Sequence, residues 1–146
     1  MSDYSRQVRR AVLPQLKAFA RLTELVPATS IYPSTVPASR TFPFIRYGVP
    51  IVAPFRASGL DSSSVRFAVH AFTKPLLDGS GAVVVTAEDR ALDIGAAIKA
   101  ALDGYVLPIE GDMHVTLSWL GSTPRQDPDE QDAWATSVQF QGEVAG

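Results

Sequence analysis

The chain has few residues that could perform chemistry, and their spacing does not build a reaction centre. Its two histidines, His70 and His114, each lie in the middle of an alternating segment that predicts a β-strand. His70 could act as a base with Asp61 or Asp89 nearby, but a histidine in such a position is usually structural. No Gly-x-Ser-x-Gly motif occurs, so no serine is placed in a nucleophile elbow. The sequence therefore predicts that the protein is not an enzyme.

Signals for metal and phosphate binding are equally weak. The acidic segment from Asp127 to Asp132 has the charge density of a calcium loop but lacks its central glycine and its distal glutamate. The glycines of Gly79-Ser80-Gly81 are not followed by the Gly-Lys-Ser/Thr of a phosphate-binding loop. Because the chain has no cysteine, it has no disulfide, no thiolate nucleophile and no Cys-ligated zinc site. The sequence predicts neither a cofactor nor a metal.

The composition is that of one globular domain over residues 1–146, with 46% hydrophobic and 19% charged residues. The net charge of -2 is too small for a nucleic-acid clamp. Positive charge is concentrated in residues 1–26, which indicates either a solvated helix face or contact with an acidic partner surface. No apolar run is long enough to cross a membrane, and no signal peptide is evident. We therefore expect the chain to remain in the cytosol where it is made.

The first half of the chain predicts a helix, a loop and two strands. Apolar residues recur every three to four positions within residues 3–26, which favours a helix with either a kink at Pro14 or two shorter pieces. Residues 28–43 are rich in proline and serine, as expected of a surface connection or an interface arm. Alternation then predicts strands at about 44–52 and 64–73.

The second half predicts one further helix and two further strands. Residues 74–84 contain one proline and two glycines, which is typical of a mobile loop. A helix at about 87–103 begins after Thr86 and stops at Gly104. Strands at about 113–120 and 133–143 are joined by a polar tip. The expected fold is α+β, with a mainly antiparallel four-stranded sheet and both the N-terminal and the central helix packed on one face.

Several short motifs follow one another in a fixed order along the chain. They are the extended Ile31-Tyr32-Pro33, the Phe-Pro-aromatic-aliphatic strand Phe42–Gly48, the strand end Val69–Thr73, the helix end Ala101–Gly104, the tip Arg125–Asp129 and the strand Trp134–Phe140. Over nearly the whole chain, this order resembles the tail completion or tail terminator family of long-tailed bacteriophages, prophages and gene transfer agents. The chain departs from the family pattern at Pro14, at Phe72, where members often carry tryptophan, and in a longer connection after the first hairpin.

The resemblance implies a structural virion protein rather than an enzyme. Members of this family form a ring, usually of six subunits, that caps the tail tube, ends its polymerisation and presents the surface that joins the head. The implied partners are further copies of the chain, the major tail tube protein and a head-completion or stopper protein. No membrane and no sequence-specific nucleic acid is implied, although DNA can pass through the ring. The implied location is the tail-neck region of the virion, and the host cytoplasm during assembly.

A ring of identical subunits needs exposed loops and strand edges for its contacts, so the loops at 28–41, 55–64 and 74–84 are expected to touch neighbouring subunits and the tube. The candidate residues for these subunit or tube contacts are Arg56, Asp61, Arg66, Arg125, Asp127 and Asp129.

Two other functions are compatible with the sequence. The first is a head-closure or stopper protein of the same neck region, which would bind the adaptor on the portal side rather than the tube. The second is a small hydrolase or ligand-binding α+β domain that uses His70 with Asp61 or Asp89.

Overall fold

A computed structural model describes residues 4–48, 64–130 and 132–146 of the chain. It begins with helix α1 (Ser5–Ala18), which buries Val8, Val12 and Leu16 along one face. This helix continues through Pro14 and is interrupted at Phe19, whose backbone is extended, before the short helix α2 (Ala20–Thr23). A single 3-10 turn, Ala28–Ser30, then leads into the first strand.

The remaining elements in the described ranges are eight strands and one long helix. In chain order they are β1 (Ile31–Tyr32), β2 (Phe44–Tyr47), β3 (Ser64–Thr73), β4 (Leu76–Leu77), β5 (Val83–Val85), α3 (Ala87–Leu102), β6 (Val106–Ile109), β7 (Met113–Gln126) and β8 (Trp134–Ala145).

The predicted four-stranded, mainly antiparallel sheet is wrong. The main sheet has six strands in the order β1-β2-β3-β8-β7-β6, curls into a half-barrel, and is mixed because β1 pairs with β2 in parallel. The two strands that the prediction lacked are β1 and β6, with two and four residues. Elements this short show no alternation of their own, and backbone pairing to longer neighbours holds them in place.

Strand β7 is also longer than the sequence pattern predicts. The predicted strand stops near 120, yet pairing with β8 continues to Gln126, opposite Trp134. Residues 121–126 are small or polar, so hydrophobic alternation stops while backbone hydrogen bonding goes on. The register shifts between Trp119 and Gly121, which marks a bulge where the strand leaves the core.

The core lies between α3 and one face of the sheet, called here the helix-covered face. On it, Phe67 stacks between Tyr47 and Phe140, with ring centroids 5.1 and 5.5 Å apart. Gly95 lets α3 approach closely, since a Cβ there would lie 3.3 Å from the Thr136 Cγ2 atom. Within the sheet Gly142 is tighter still, because a Cβ there would lie 2.7 Å from the Val115 Cγ2 atom of the neighbouring strand. The sheet and helix therefore pack at near contact distance.

Thr73 and Thr86 fix where α3 begins. The Thr86 side chain accepts a hydrogen bond from the Asp89 amide and caps the helix. The buried Thr73 hydroxyl donates to the Ala87 carbonyl at 2.7 Å and so ties the end of β3 to the first turn of α3. Between these anchors, the segment predicted as a loop forms the two-stranded hairpin β4–β5 instead.

Candidate assembly surfaces

The face of the sheet opposite α3, called here the helix-free face, carries a row of polar side chains. Across its strands, Arg46 lies opposite His70, His70 opposite Ser137 and Ser137 opposite Thr123. Arg125 lies two residues further along β7 on the same face. Hydroxyl, imidazole and guanidinium groups therefore form a row across this face, and the aromatic side chains of Phe44 and Phe72 lie beside that row on the same face.

Among the described residues of this face, His70 is the one whose side chain could act as a general base. Its environment argues against that role. Its Nδ1 atom lies 2.7 Å from the Ser137 Oγ atom, the distance of a serine–histidine dyad. Burial, and then the charges of Arg46 and Arg125, lower the pKa of His70 from 6.5 to about 4. The Nε2 atom faces the Gly48 backbone, where a Cβ would lie 2.6 Å away. An imidazole with a lowered pKa and an obstructed second nitrogen is a poor general base.

The structure does not bring the candidate interface residues into one cluster. Arg56 and Asp61 lie outside the described residues. Arg66 on β3 and Arg125 on β7 share the helix-free face, but strand β8 lies between them and they are six register positions apart, a separation of about 20 Å. The Asp127 carboxylate accepts a hydrogen bond from the Asp129 amide at 2.9 Å and shapes the turn between β7 and β8.

The Phe-Pro-aromatic motif forms an aromatic cluster beside that turn. Phe44 stacks on Phe72 of β3 with ring centroids 4.8 Å apart, and Phe42 meets Phe44 edge-on at 5.1 Å. The Lys74 ammonium lies 4.8 Å from the centre of the Phe42 ring and 2.7 Å from a Glu130 carboxylate oxygen. Lys74 thus joins the proline-rich loop, the base of the β4–β5 hairpin and the turn after β7.

The β4–β5 hairpin exposes four aliphatic side chains. Leu76, Leu77, Val83 and Val84 have 46%, 54%, 56% and 60% of their surface in contact with solvent. The tip is nevertheless well formed, because one Asp78 carboxylate oxygen accepts hydrogen bonds from the Ser80 hydroxyl, the Ser80 amide and the Ala82 amide. These bonds lower the pKa of Asp78, so the tip carries a negative charge. The hairpin is an ordered apolar arm with an anionic end.

A second apolar surface, called here the Trp119 patch, lies where β7 leaves the core. It consists of Tyr105, Trp119 and Leu120, which are 40%, 37% and 46% exposed. Val106, which is 55% exposed, pairs with Thr116 and lies on the opposite face of the sheet from Trp119. Trp119 is held by its amide, which donates to the Asp103 carboxylate, and by the Lys99 ammonium 3.9 Å from its ring centre. Within the described part of the chain, β6 pairs only with Met113–Thr116. The edge of β7 beyond the patch therefore pairs with β8 alone.

Sequence reasoning expected residues 74–84 to touch neighbouring subunits, but as a loop, and it did not predict that this segment is an apolar hairpin. It missed the Trp119 patch. A signal for the hairpin was present: two leucines and three valines flank the turn-forming segment Asp78-Gly79-Ser80-Gly81. The Trp119 patch had no comparable signal, since its side chains come from β7 and from the segment that follows α3, which meet only in the fold.

Two further classes of function find no support in the described residues. No group of three or more histidine or acidic side chains there is arranged to hold a metal ion. None of the helices in the ranges described is both long and apolar enough to span a membrane.

Comparison with known proteins gives three findings. Residues 10–141 match the family model described as tail completion protein gp17. A solved chain from the virion of a native gene transfer agent particle has a similar fold, with a TM-score of 0.73, 23% sequence identity and full coverage of both chains. A second solved structure aligns with 97% of this chain and 95% of its own, with a TM-score of 0.56 and 17% identity. No curated protein sequence matches the chain.

Proposed function

The chain belongs to the tail completion protein gp17 family, and from this premise we propose that it closes the tail tube of a phage-type virion as a ring of identical subunits. Membership makes it a structural protein of a virion tail, in a bacteriophage or gene transfer agent. In the proposed role, the ring binds the last ring of the tube, stops further addition of the major tail tube protein, and presents its other side to a head-completion or stopper protein. The family match over residues 10–141 carries this proposal.

The surfaces described above support assembly rather than catalysis. The chain places exposed aliphatic and aromatic groups on two separate parts of its surface, the hairpin and the Trp119 patch. Two different surfaces on one chain suit a heterologous, head-to-tail contact, which produces a closed ring when the rotation between subunits is an integral fraction of a turn. Six subunits is the number proposed here, with a path for DNA through the lumen.

Charged residues supply further contacts in this proposal. Arg125 and Asp129 are exposed at the turn end of β7, where they can reach the tube or a neighbouring subunit. Arg66 lies half-buried on the helix-free face and Asp127 is engaged in the turn, so both act by shaping the surface.

A tube-elongation assay tests this function. The major tail tube protein is polymerised with and without the chain, and tube length is measured by electron microscopy. A terminator stops growth at a substoichiometric ratio, because only tube ends are blocked. A head-closure protein would leave tube growth unchanged and would instead bind the adaptor of the portal side, which a pull-down with that adaptor detects.

A further inference from the structure

We propose that the β4–β5 hairpin of one subunit docks on the Trp119 patch of the next subunit. This inference rests on the proposed ring and names the surfaces that would close it. The occupant of the patch is thus a second copy of this chain, and the contact is repeated once per subunit around the ring.

The hairpin has the properties of a docking arm rather than of a loop. It is joined to the body through its base, where the Arg90 guanidinium donates to the Lys74 carbonyl at 2.9 Å. Its strands pair with each other and not with the main sheet. Its exposed aliphatic side chains lie on both faces of the two-stranded hairpin, with Leu77 opposite Val83 on one of them, so each face offers apolar contacts to a partner. The Asp78 hydrogen bonds fix its shape before any partner arrives, which lowers the entropy lost on docking.

The hairpin and the patch lie near different ends of α3, so one cannot cover the other within the same chain. The hairpin ends directly before Thr86, whereas the patch is held by Lys99 and Asp103 at the far end of the helix. Ala87 and Lys99 are separated by about 18 Å of helix. The hairpin also does not pack along α3. Two exposed apolar surfaces that cannot meet in one subunit can meet between two subunits.

Charge is complementary between the two surfaces. The hairpin ends in the ionised Asp78 carboxylate, and the Lys99 ammonium lies over the Trp119 ring at the edge of the patch. Opposite charges at the rim of an apolar contact orient the partners and favour one docking direction over the reverse. Docking of the tip towards Lys99 would also cover the indole, the group most often dominant in such contacts.

Cysteine cross-linking tests the contact directly, because the natural chain has no cysteine. In a variant carrying both Val84→Cys and Leu120→Cys, the two thiols of one chain are too far apart to pair. Oxidation of rings assembled on tail tubes should then produce a ladder of covalent oligomers that ends at the ring. Each single-cysteine variant should stop at the dimer or stay monomeric. A control variant carrying Val84→Cys and Leu92→Cys should give no ladder, since Leu92 is 47% exposed but belongs to neither surface.

The outcomes separate this inference from the ring itself. Rings visible on the tubes together with a ladder in the Val84–Leu120 variant support both. Rings on the tubes without a ladder overturn the docking contact and leave the ring in place. Tubes without rings, and no ladder, overturn the ring proposal and the docking contact with it.

A charge placed in the contact gives an independent readout. Val84→Asp buries a carboxylate against the Trp119 patch, so subunit association should weaken by at least about tenfold. Leu92→Asp, the same change at another exposed aliphatic position, on α3, should leave association unchanged. Circular dichroism of both variants checks that the subunit remains folded. Equal association of wild type and Val84→Asp would overturn the proposal.

Discussion

Apolar residues occur in two contrasting regions of this molecule, the helix-covered face of the sheet and the β4–β5 hairpin. On the helix-covered face, Phe67 and Phe140 are at most 2% exposed and stacked, whereas Leu77 and Val84 on the hairpin are more than half exposed. The first set loses its contact with water when one chain folds, and the second can lose it only when chains meet. The difference separates the residues that stabilise the subunit from those available for assembly. Substitutions on the helix-covered face should therefore lower the free energy of unfolding, whereas substitutions on the hairpin should weaken assembly.

The largest effect on the subunit is expected from Phe140→Ala. Phe140 is fully buried and stacked on Phe67, so its removal leaves a cavity between the sheet and α3. The free energy of unfolding should fall by about 3–5 kcal/mol. Urea denaturation followed by circular dichroism measures this at a concentration where the chain is monomeric. A loss below about 1 kcal/mol would mean that the helix-covered face is not the stabilising region.

A smaller loss is expected from adding one methyl group to the same face. In Gly142→Ala, the new Cβ would lie 2.7 Å from the Val115 Cγ2 atom and 3.4 Å from the Leu117 Cδ2 atom. Overpacking of this kind should lower the free energy of unfolding by about 1–3 kcal/mol. Gly121→Ala is the matched control in β7, because no atom lies within 4 Å of a Cβ there. Equal midpoints of denaturation for the two variants would contradict the tight packing.

His70, on the helix-free face, should make the free energy of unfolding depend on pH. Because burial and two arginines lower the pKa of His70 to about 4, the unfolded chain binds a proton at a higher pH than the folded chain does. His70 therefore makes folding less favourable as pH falls from about 6.5 towards 4, and this contribution is absent above that range. His70→Gln should flatten the decline when the free energy of unfolding is measured across pH 4–8. If wild type and variant lose the same free energy of unfolding as pH falls, His70 does not cause the decline.

The smallest effect on stability is expected on the hairpin. Leu77→Gln replaces a side chain that is 54% exposed, so the free energy of unfolding should change by no more than about 0.5 kcal/mol. Capping of tail tubes by the same variant should nevertheless weaken. A loss of stability as large as that of Gly142→Ala would mean that the hairpin stabilises the subunit itself. The difference between the hairpin and the helix-covered face would then disappear.

The elements with unbroken apolar periodicity were predicted with nearly the right bounds, and the short elements were not. Strand β3 and helix α3 follow uninterrupted apolar periodicity over ten and sixteen residues. Residues Ile31 and Tyr32 were predicted to be extended, but their pairing as strand β1 was not, and β6 was missed altogether. Two or four residues are too few to show a period, so tertiary pairing decides the place of such strands in the sheet. The end of β7 was missed for a related reason, since backbone pairing continues through polar residues.

The family resemblance inferred from ordered motifs is confirmed by the family match, and the fold gives those motifs a physical meaning. Gly48 closes the Phe-Pro-aromatic strand because the backbone there lies against the His70 ring and leaves no room for a side chain. Phe44 is in the motif because it stacks on Phe72. The assembly surfaces were harder to predict, since exposure of an apolar side chain depends on which neighbours the fold supplies.

Imaging of tube ends is the measurement that tests the central claim most directly. Tail tubes are incubated with an excess of wild-type chain or of Val84→Asp, and their ends are examined by electron microscopy. Six copies of the 15.7 kDa chain have a mass of about 94 kDa, large enough to resolve as a ring. The account predicts a ring on tubes treated with wild type and bare ends with the folded variant. Bare ends with wild type, or rings equally frequent with both proteins, would contradict it.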